Sequence, residues 1–192
     1  MEFFKFVLAG EDKAVLSRIK NALTSNGHIY LGYSKDPVNV LKLVKRNDVD
    51  LIIIDVANRF RNLRETLSII DEELVAPCIL LLDIRNDEVF EFLRKSRIMT
   101  YVTKPIFDEN FLQITDISRI NYERVIEYEQ KVKKLNDTLE SRKVVEKAKW
   151  ILVEQNGLSE AEAYESIKRR SRDSRVPMKN IAEALILTRG IS

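Results

Sequence analysis

The chain is short of the residues that break, staple or flex a backbone: its 192 residues include one cysteine, four prolines and five glycines. With Cys78 alone no internal disulfide can form, and a cytoplasmic protein is the natural expectation. Histidine is as scarce. His28, beside Gly27 in a turn, has no second histidine or nearby cysteine with which to share a metal, so it is read as structural. Long apolar runs are missing too. Leu51 to Ile54 and Cys78 to Leu82 are strand-sized, far below the roughly 20 residues that cross a bilayer, and no membrane association is expected. The opening MEFFKFVLAGED meets an acidic pair too early for a signal peptide. No Ser-His-Asp set, P-loop or dinucleotide fingerprint occurs, which argues against an enzyme, and no motif requires a cofactor.

What is present is periodicity. Apolar strand-like runs alternate with helical patterns: Lys5 to Ala9 then Val15 to Thr24, Ile29 to Tyr33 then Pro37 to Lys45, Leu51 to Ile54 then Leu63 to Ile70. Cys78 to Leu82 is followed by Val89 to Lys95, and Thr100 to Thr103 by Glu109 to Ile117. This alternation predicts a parallel sheet covered by helices on both faces. Ligands of such sheets bind outside the carboxyl ends of the strands. There the sequence places Glu11 and Asp12 after the first strand, Asp55 after the third and Lys104-Pro105 after the fifth. Glu11 and Asp12 with Asp55 form the one plausible cation site.

From Arg119 to about Asn156 there is neither proline nor glycine, which predicts a single long helix. Val125, Tyr128, Val132, Leu135 and Leu139 recur at intervals of three and four, the seam of a short coiled coil. A homodimer is expected from it, with packing onto the protein's own N-terminal half as the alternative. Residues 143 to 187 then read as three helices. Asn156-Gly157 suits a left-handed cap, Ser159 with Glu162 forms a capping box for a helix to about Arg172, and Pro177 opens a third that ends before Gly190. Met178, Ile181, Ala182, Leu185 and Ile186 make one apolar face, and Ala163 with Ile167 another.

Charge is divided unevenly. Residues 131 to 192 carry 14 Lys/Arg against 9 Asp/Glu, a net +5, while residues 1 to 130 carry 18 against 21, a net −3. Any nucleic-acid partner is therefore placed at the C-terminal end. Its candidate contacts are Lys147, Lys149, Lys168, Arg169, Ser171, Arg172, Arg175 and Lys179, cations and a hydroxyl suited to phosphates and unstacked bases.

The C-terminal stretch resembles the ANTAR domain, the RNA-binding output module of bacterial transcription antiterminators. The likeness rests on Glu146, Ala148-Lys149, Ile151-Leu152, Glu154, Gly157-Leu158-Ser159, Glu162-Ala163, Ser171, Arg175 with Pro177, and Ala182. Trp150 departs from it, standing where the family more often has a small residue. The N-terminal half resembles the receiver domain of bacterial response regulators. That resemblance makes Asp55 the phospho-acceptor, Lys104 the lysine that offsets the phosphoryl charge, and Tyr101 the switch aromatic, with Mg²⁺ possible at Glu11, Asp12 and Asp55. Two departures stand beside it. Gly10 falls at the first position after the strand, and Leu82 replaces the hydroxyl residue expected at the end of the fourth.

The expected fold is thus an α/β, flavodoxin-like receiver with a five-stranded parallel sheet, followed by an all-α coiled-coil helix and a three-helix ANTAR domain. The expected domains are 1-118, a linker helix at 119-142, and 143-192. The resemblances imply a dimeric response regulator that binds paired stem-loops in leader RNA and promotes antitermination, with a sensor histidine kinase or another regulator upstream. A DNA-binding response regulator and a phosphorylation-independent protein-interaction regulator are the alternatives.

Overall fold

Each of the five apolar runs forms a strand. The computed structural model describes residues 3–56, 60–83 and 87–189. Strands β1 (Lys5–Ala9), β2 (Ile29–Ser34), β3 (Leu51–Asp55), β4 (Cys78–Leu82) and β5 (Met99–Thr103) make one parallel sheet in the order β2-β1-β3-β4-β5. Every residue of β3 and β4 is buried, which is why LIIID and CILLL show no polar alternation. Successive residues point to opposite faces. Phe6, Leu8, Ile53, Ile79 and Leu81 pack on one side with Leu16, Ile19 and Leu23 of α1 (Lys13–Ser25) and with Phe111. Val7, Ile52, Ile54, Leu80 and Leu82 pack on the other with residues of α2 (Val40–Val44), α3 (Phe60–Glu72) and α4 (Asp87–Leu93). The strand order reverses at β1, between β2 and β3, so the crevice beyond the carboxyl ends of β1 and β3 is the natural place for a site.

Helix α5 (Asp108–Asn156) corrects an expected boundary. The helix over Glu109 to Ile117 and the one from Arg119 are a single element of 49 residues. Between Pro105 and Gly157 there is neither proline nor glycine, so nothing forces a break in the hydrogen-bond ladder. Tyr122 and Val125 pack against the sheet's hydrophobic core, and Tyr122 donates its hydroxyl to the Leu74 carbonyl at 2.8 Å. Val125 is thereby removed from the expected seam.

The chain falls into two units, one ending at Glu127 and the other starting at Tyr128. In the second, the last turns of α5 pack with α6 (Glu160–Ser174) and α7 (Met178–Arg189) around Val145, Ala148, Leu152, Ala163, Ile167, Ala182 and Leu185. Its punctuation follows the sequence closely. Gly157 takes φ 65°, and Ser159 and Glu162 cap α6 reciprocally. Helix α6 runs two residues past Arg172 and ends with Arg175 itself in the left-handed region, at φ 56°. The Pro177 carbonyl accepts the first bonds of α7 from Asn180 and Ile181. Gly190 lies outside the described residues. Among those described, no helix is long and apolar enough to cross a membrane.

Candidate functional sites

The strand ends bring together four charged groups. Asp55 closes β3 with its side chain 1% exposed, and its Oδ1 lies 2.7 Å from Lys104 Nζ, just past β5. The same ammonium reaches Asp83 Oδ1 at 2.9 Å and Asp12 Oδ2 at 3.6 Å. Asp12 is tied in twice more: its N–H donates to Asp55 Oδ2 at 3.2 Å, and its Oδ1 accepts from Val15 N–H as the N-cap of α1. That cap hydrogen bond is the main reason the Asp12 carboxyl is held below the usual carboxylate range, with Lys104 adding to it against a burial penalty. Burial on its own pulls the Lys104 pKa down, but hydrogen bonds to Asp55 and Asp83 outweigh it and leave the ammonium above its ordinary value.

Gly10 is part of this arrangement. Its φ of 141° lies outside the range of ordinary side chains, and a Cβ there would stand 2.5 Å from the Asp55 Cβ. The glycine lets β1 pass directly against Asp55. Tyr33 holds that turn, donating its hydroxyl to the Gly10 carbonyl at 2.7 Å. What the sequence registered as a departure at position 10 is a close approach, and Asp12 is the carboxylate that reaches the site.

Of the residues expected to hold a cation, Asp12 and Asp55 are brought together and Glu11 is exposed; among the described residues no three His, Cys, Asp or Glu side chains form a metal-binding group. The positive charge standing among Asp12, Asp55 and Asp83 is the Lys104 ammonium. Tyr101 is 39% exposed and packs edge-on against Phe90, ring centroids 4.7 Å apart, on the outer side of β5. Leu82 is buried in the core at the end of β4 and brings no polar atom. Asp83, the next residue, went unnoticed in the sequence reading. The signal for it was the same rule that picked Asp55 and Lys104: a charged residue directly after a strand.

In the helical unit the expected contact residues divide into two groups. Lys149 is only 11% exposed, paired with Glu146 at 2.7 Å and with Glu160 at 2.9 Å, and these bonds raise its pKa. It joins α5 to the start of α6. Ser171 donates to the Val176 carbonyl at 2.6 Å, closing the turn after α6. Lys168 pairs with Glu165 at 2.8 Å, and Lys179 makes a long 3.9 Å contact with Glu183. Lys147, Arg169, Arg172 and Arg175 are exposed and form no ion pair among the described residues; Arg170 is like them. On α5, Tyr128, Val132, Leu135 and Leu139, spaced by four, three and four, are all more than half exposed. Trp150 is half exposed with Lys149 Nζ 5.9 Å from its ring centre. His28 stacks on Phe4 at 3.7 Å and is buried.

The first unit therefore has the receiver fold. Among solved structures it is similar to the signal receiver domain of a modulated diguanylate cyclase from Desulfovibrio desulfuricans G20, with a TM-score of 0.55 at 13% identity over 64% of this chain and 98% of that one. A CheY-like response regulator receiver domain protein from Methanospirillum hungatei JF-1 superposes with a TM-score of 0.53 at 16% identity, again over 64% and 98%. Residues 133–186 match the ANTAR domain family. Nearly the whole chain aligns with the transcriptional regulatory protein PdtaR of Mycobacterium tuberculosis, strains CDC 1551 / Oshkosh and H37Rv. Identity is 28% over 185 residues, covering 96% of this chain and 90% of the relative. The chain thus joins a receiver fold to a C-terminal stretch that matches the ANTAR domain family, and over nearly its whole length it is similar to a transcriptional regulatory protein.

Proposed function

We propose that the chain is a dimeric, non-enzymatic regulator that binds paired stem-loops in leader RNA through its helical unit and promotes transcription antitermination. The observation that carries this reading is the set of unpaired cations at the end of α6. Arg169, Arg170, Arg172 and Arg175 crowd one short segment inside the ANTAR match, exposed and without acidic partners among the described residues. Four unneutralised guanidinium groups so close together repel one another, and a polyphosphate backbone relieves that repulsion while releasing counterions. Guanidinium planes also stack on unpaired bases.

The test is a gel shift of the full chain with a two-hairpin RNA against duplex DNA of the same length, across a salt series. Preference for the hairpins, and its loss in a combined Arg169→Gln, Arg172→Gln variant, supports the reading. Equal affinity for RNA and DNA, falling together with salt, would leave only non-specific charge binding.

A second reading, Asp55 as a phospho-acceptor, is favoured by the Lys104 ammonium 2.7 Å from its carboxylate. Asp83 competes for that ammonium. Exposure to a small phosphodonor with Mg²⁺, followed by intact-mass measurement, tests it; the expected result is a phosphoryl mass shift that an Asp55→Asn variant lacks. An Asp83→Ala variant, which frees Lys104, should take up the group faster.

A further inference from the structure

We propose that the concavity formed by the last turns of α5, the middle of α6 and the start of α7 receives one unpaired RNA base, stacked on Tyr164 with an adjoining phosphate on Arg142. The proposal rests on the RNA reading above and names where a loop base is held.

The concavity has a volume of about 540 Å³ and is walled by Arg142, Val145, Glu146, Tyr164, Pro177 and Met178, with Lys179 at its edge. That is within the usual range for a small-ligand site. Its floor is apolar, and its one aromatic ring is anomalous. Ala163 next to it and Ile167 one turn later are completely buried, yet Tyr164 is 42% exposed and its hydroxyl has no hydrogen-bond partner among the described residues. The ring borders an open depression, where a base can cover it. Every base has a face that stacks, so such a platform needs no particular sequence.

The charges around the depression point the same way. Glu146, the one carboxylate in its lining, shares Lys149 with Glu160, at 2.7 and 2.9 Å. Arg142 is exposed and has no acidic partner among the described residues, and with Lys179 it gives the lining two cations against one carboxylate. Lys168 lies one turn beyond Tyr164 on the same face of α6, and Arg172 another turn on. A strand whose base enters the depression would lead its next phosphates along those cations. An apolar side chain from a protein partner would use the floor but would leave Arg142 without a counter-charge.

The full chain is titrated with a pool of two-hairpin RNAs that share fixed stems and carry randomised loops, each with one 2-aminopurine. Stacking predicts that wild type quenches the probe. Tyr164→Phe should retain quenching and affinity, while Tyr164→Ala loses the quench and about tenfold in affinity. Arg142→Gln, a surface change that leaves the fold intact, should weaken binding several-fold and flatten its salt dependence. Thermal midpoints of all variants are measured alongside. Tyr164→Ala binding and quenching as wild type does, or Tyr164→Phe losing as much as Tyr164→Ala, would overturn the subsite. If Arg169→Gln, Arg172→Gln abolishes binding while the Tyr164 and Arg142 variants do not alter it, the RNA reading stands and the subsite falls. A wild-type chain that binds none of the pool ends both.

Discussion

Lys104 is the residue on which the receiver unit's charges are balanced. Removing it leaves Asp55 buried with no counter-charge, and Lys104→Ala should cost about 3 kcal/mol or more, read from urea denaturation of the full chain. The sign of the pH dependence follows from two shifts in opposite directions. The Asp12 carboxyl is lowered, so its contribution is whole above the unfolded value near 3.9 and is lost as pH falls through the folded one. The Lys104 ammonium is raised, so its contribution is whole below the unfolded value near 10.4 and is lost as pH rises through the folded one. Wild type should thus be evenly stable between about pH 5 and 9, with an acid loss through Asp12 that Lys104→Ala largely shares and an alkaline loss through Lys104 that the variant lacks; a gap between the two that changes steadily across neutrality would place the dominant titration elsewhere. Asp55 and Lys104 were legible in the sequence because strand ends in a parallel sheet are where charged residues gather. Asp83 obeys the same rule, but its place beside Lys104 is set by register: Leu82 pairs with Thr103 across β4 and β5, so the two residues that follow emerge side by side. No local pattern carries that pairing.

At the scale of elements, what was legible is what neighbouring residues decide. The five strands, the capping box and the left-handed Gly157 each depend on a few adjacent positions, and each stands where the sequence placed it. Two features depended on distant ones. Helix α5 runs without a break because nothing in its sequence stops it, even though its first turns belong to a sheet-packed core and its last to a separate helical core. Lys149 meets its second partner, Glu160, only when α6 folds back, a pairing that its own neighbours in sequence do not signal. The caps themselves can be tested. Ser159→Ala removes one half of the reciprocal cap and should cost about 1 kcal/mol. Arg175→Gly should do the opposite, because glycine tolerates φ 56° where an L side chain is strained, and the gain should be about 1 kcal/mol. The same change removes a candidate RNA contact. A variant that melts higher and binds RNA more weakly would separate the two roles of Arg175, whereas unchanged affinity would assign it to the turn alone.

For the molecule as a whole, the balance is between one copy and two. Tyr128, Val132, Leu135 and Leu139 present an apolar stripe spaced for a coiled coil, all of it exposed once Val125 is assigned to the receiver core. Burying such a stripe against its own copy is the expected outcome. A dimer would carry two helical units, so an RNA with two hairpins meets its second site at high effective concentration, and affinity rises by a factor of about 10² or more with no new contact. Leu135→Lys puts a charge at the middle of the stripe and should yield a monomer in light scattering at micromolar concentration, with the helical content unchanged. That monomer should bind a single hairpin as wild type does and lose the advantage for the paired RNA. The pair of measurements separates dimerisation from recognition: a variant that stays dimeric would place the interface elsewhere, and a monomer that keeps the two-hairpin advantage would mean that one helical unit reads both hairpins by itself.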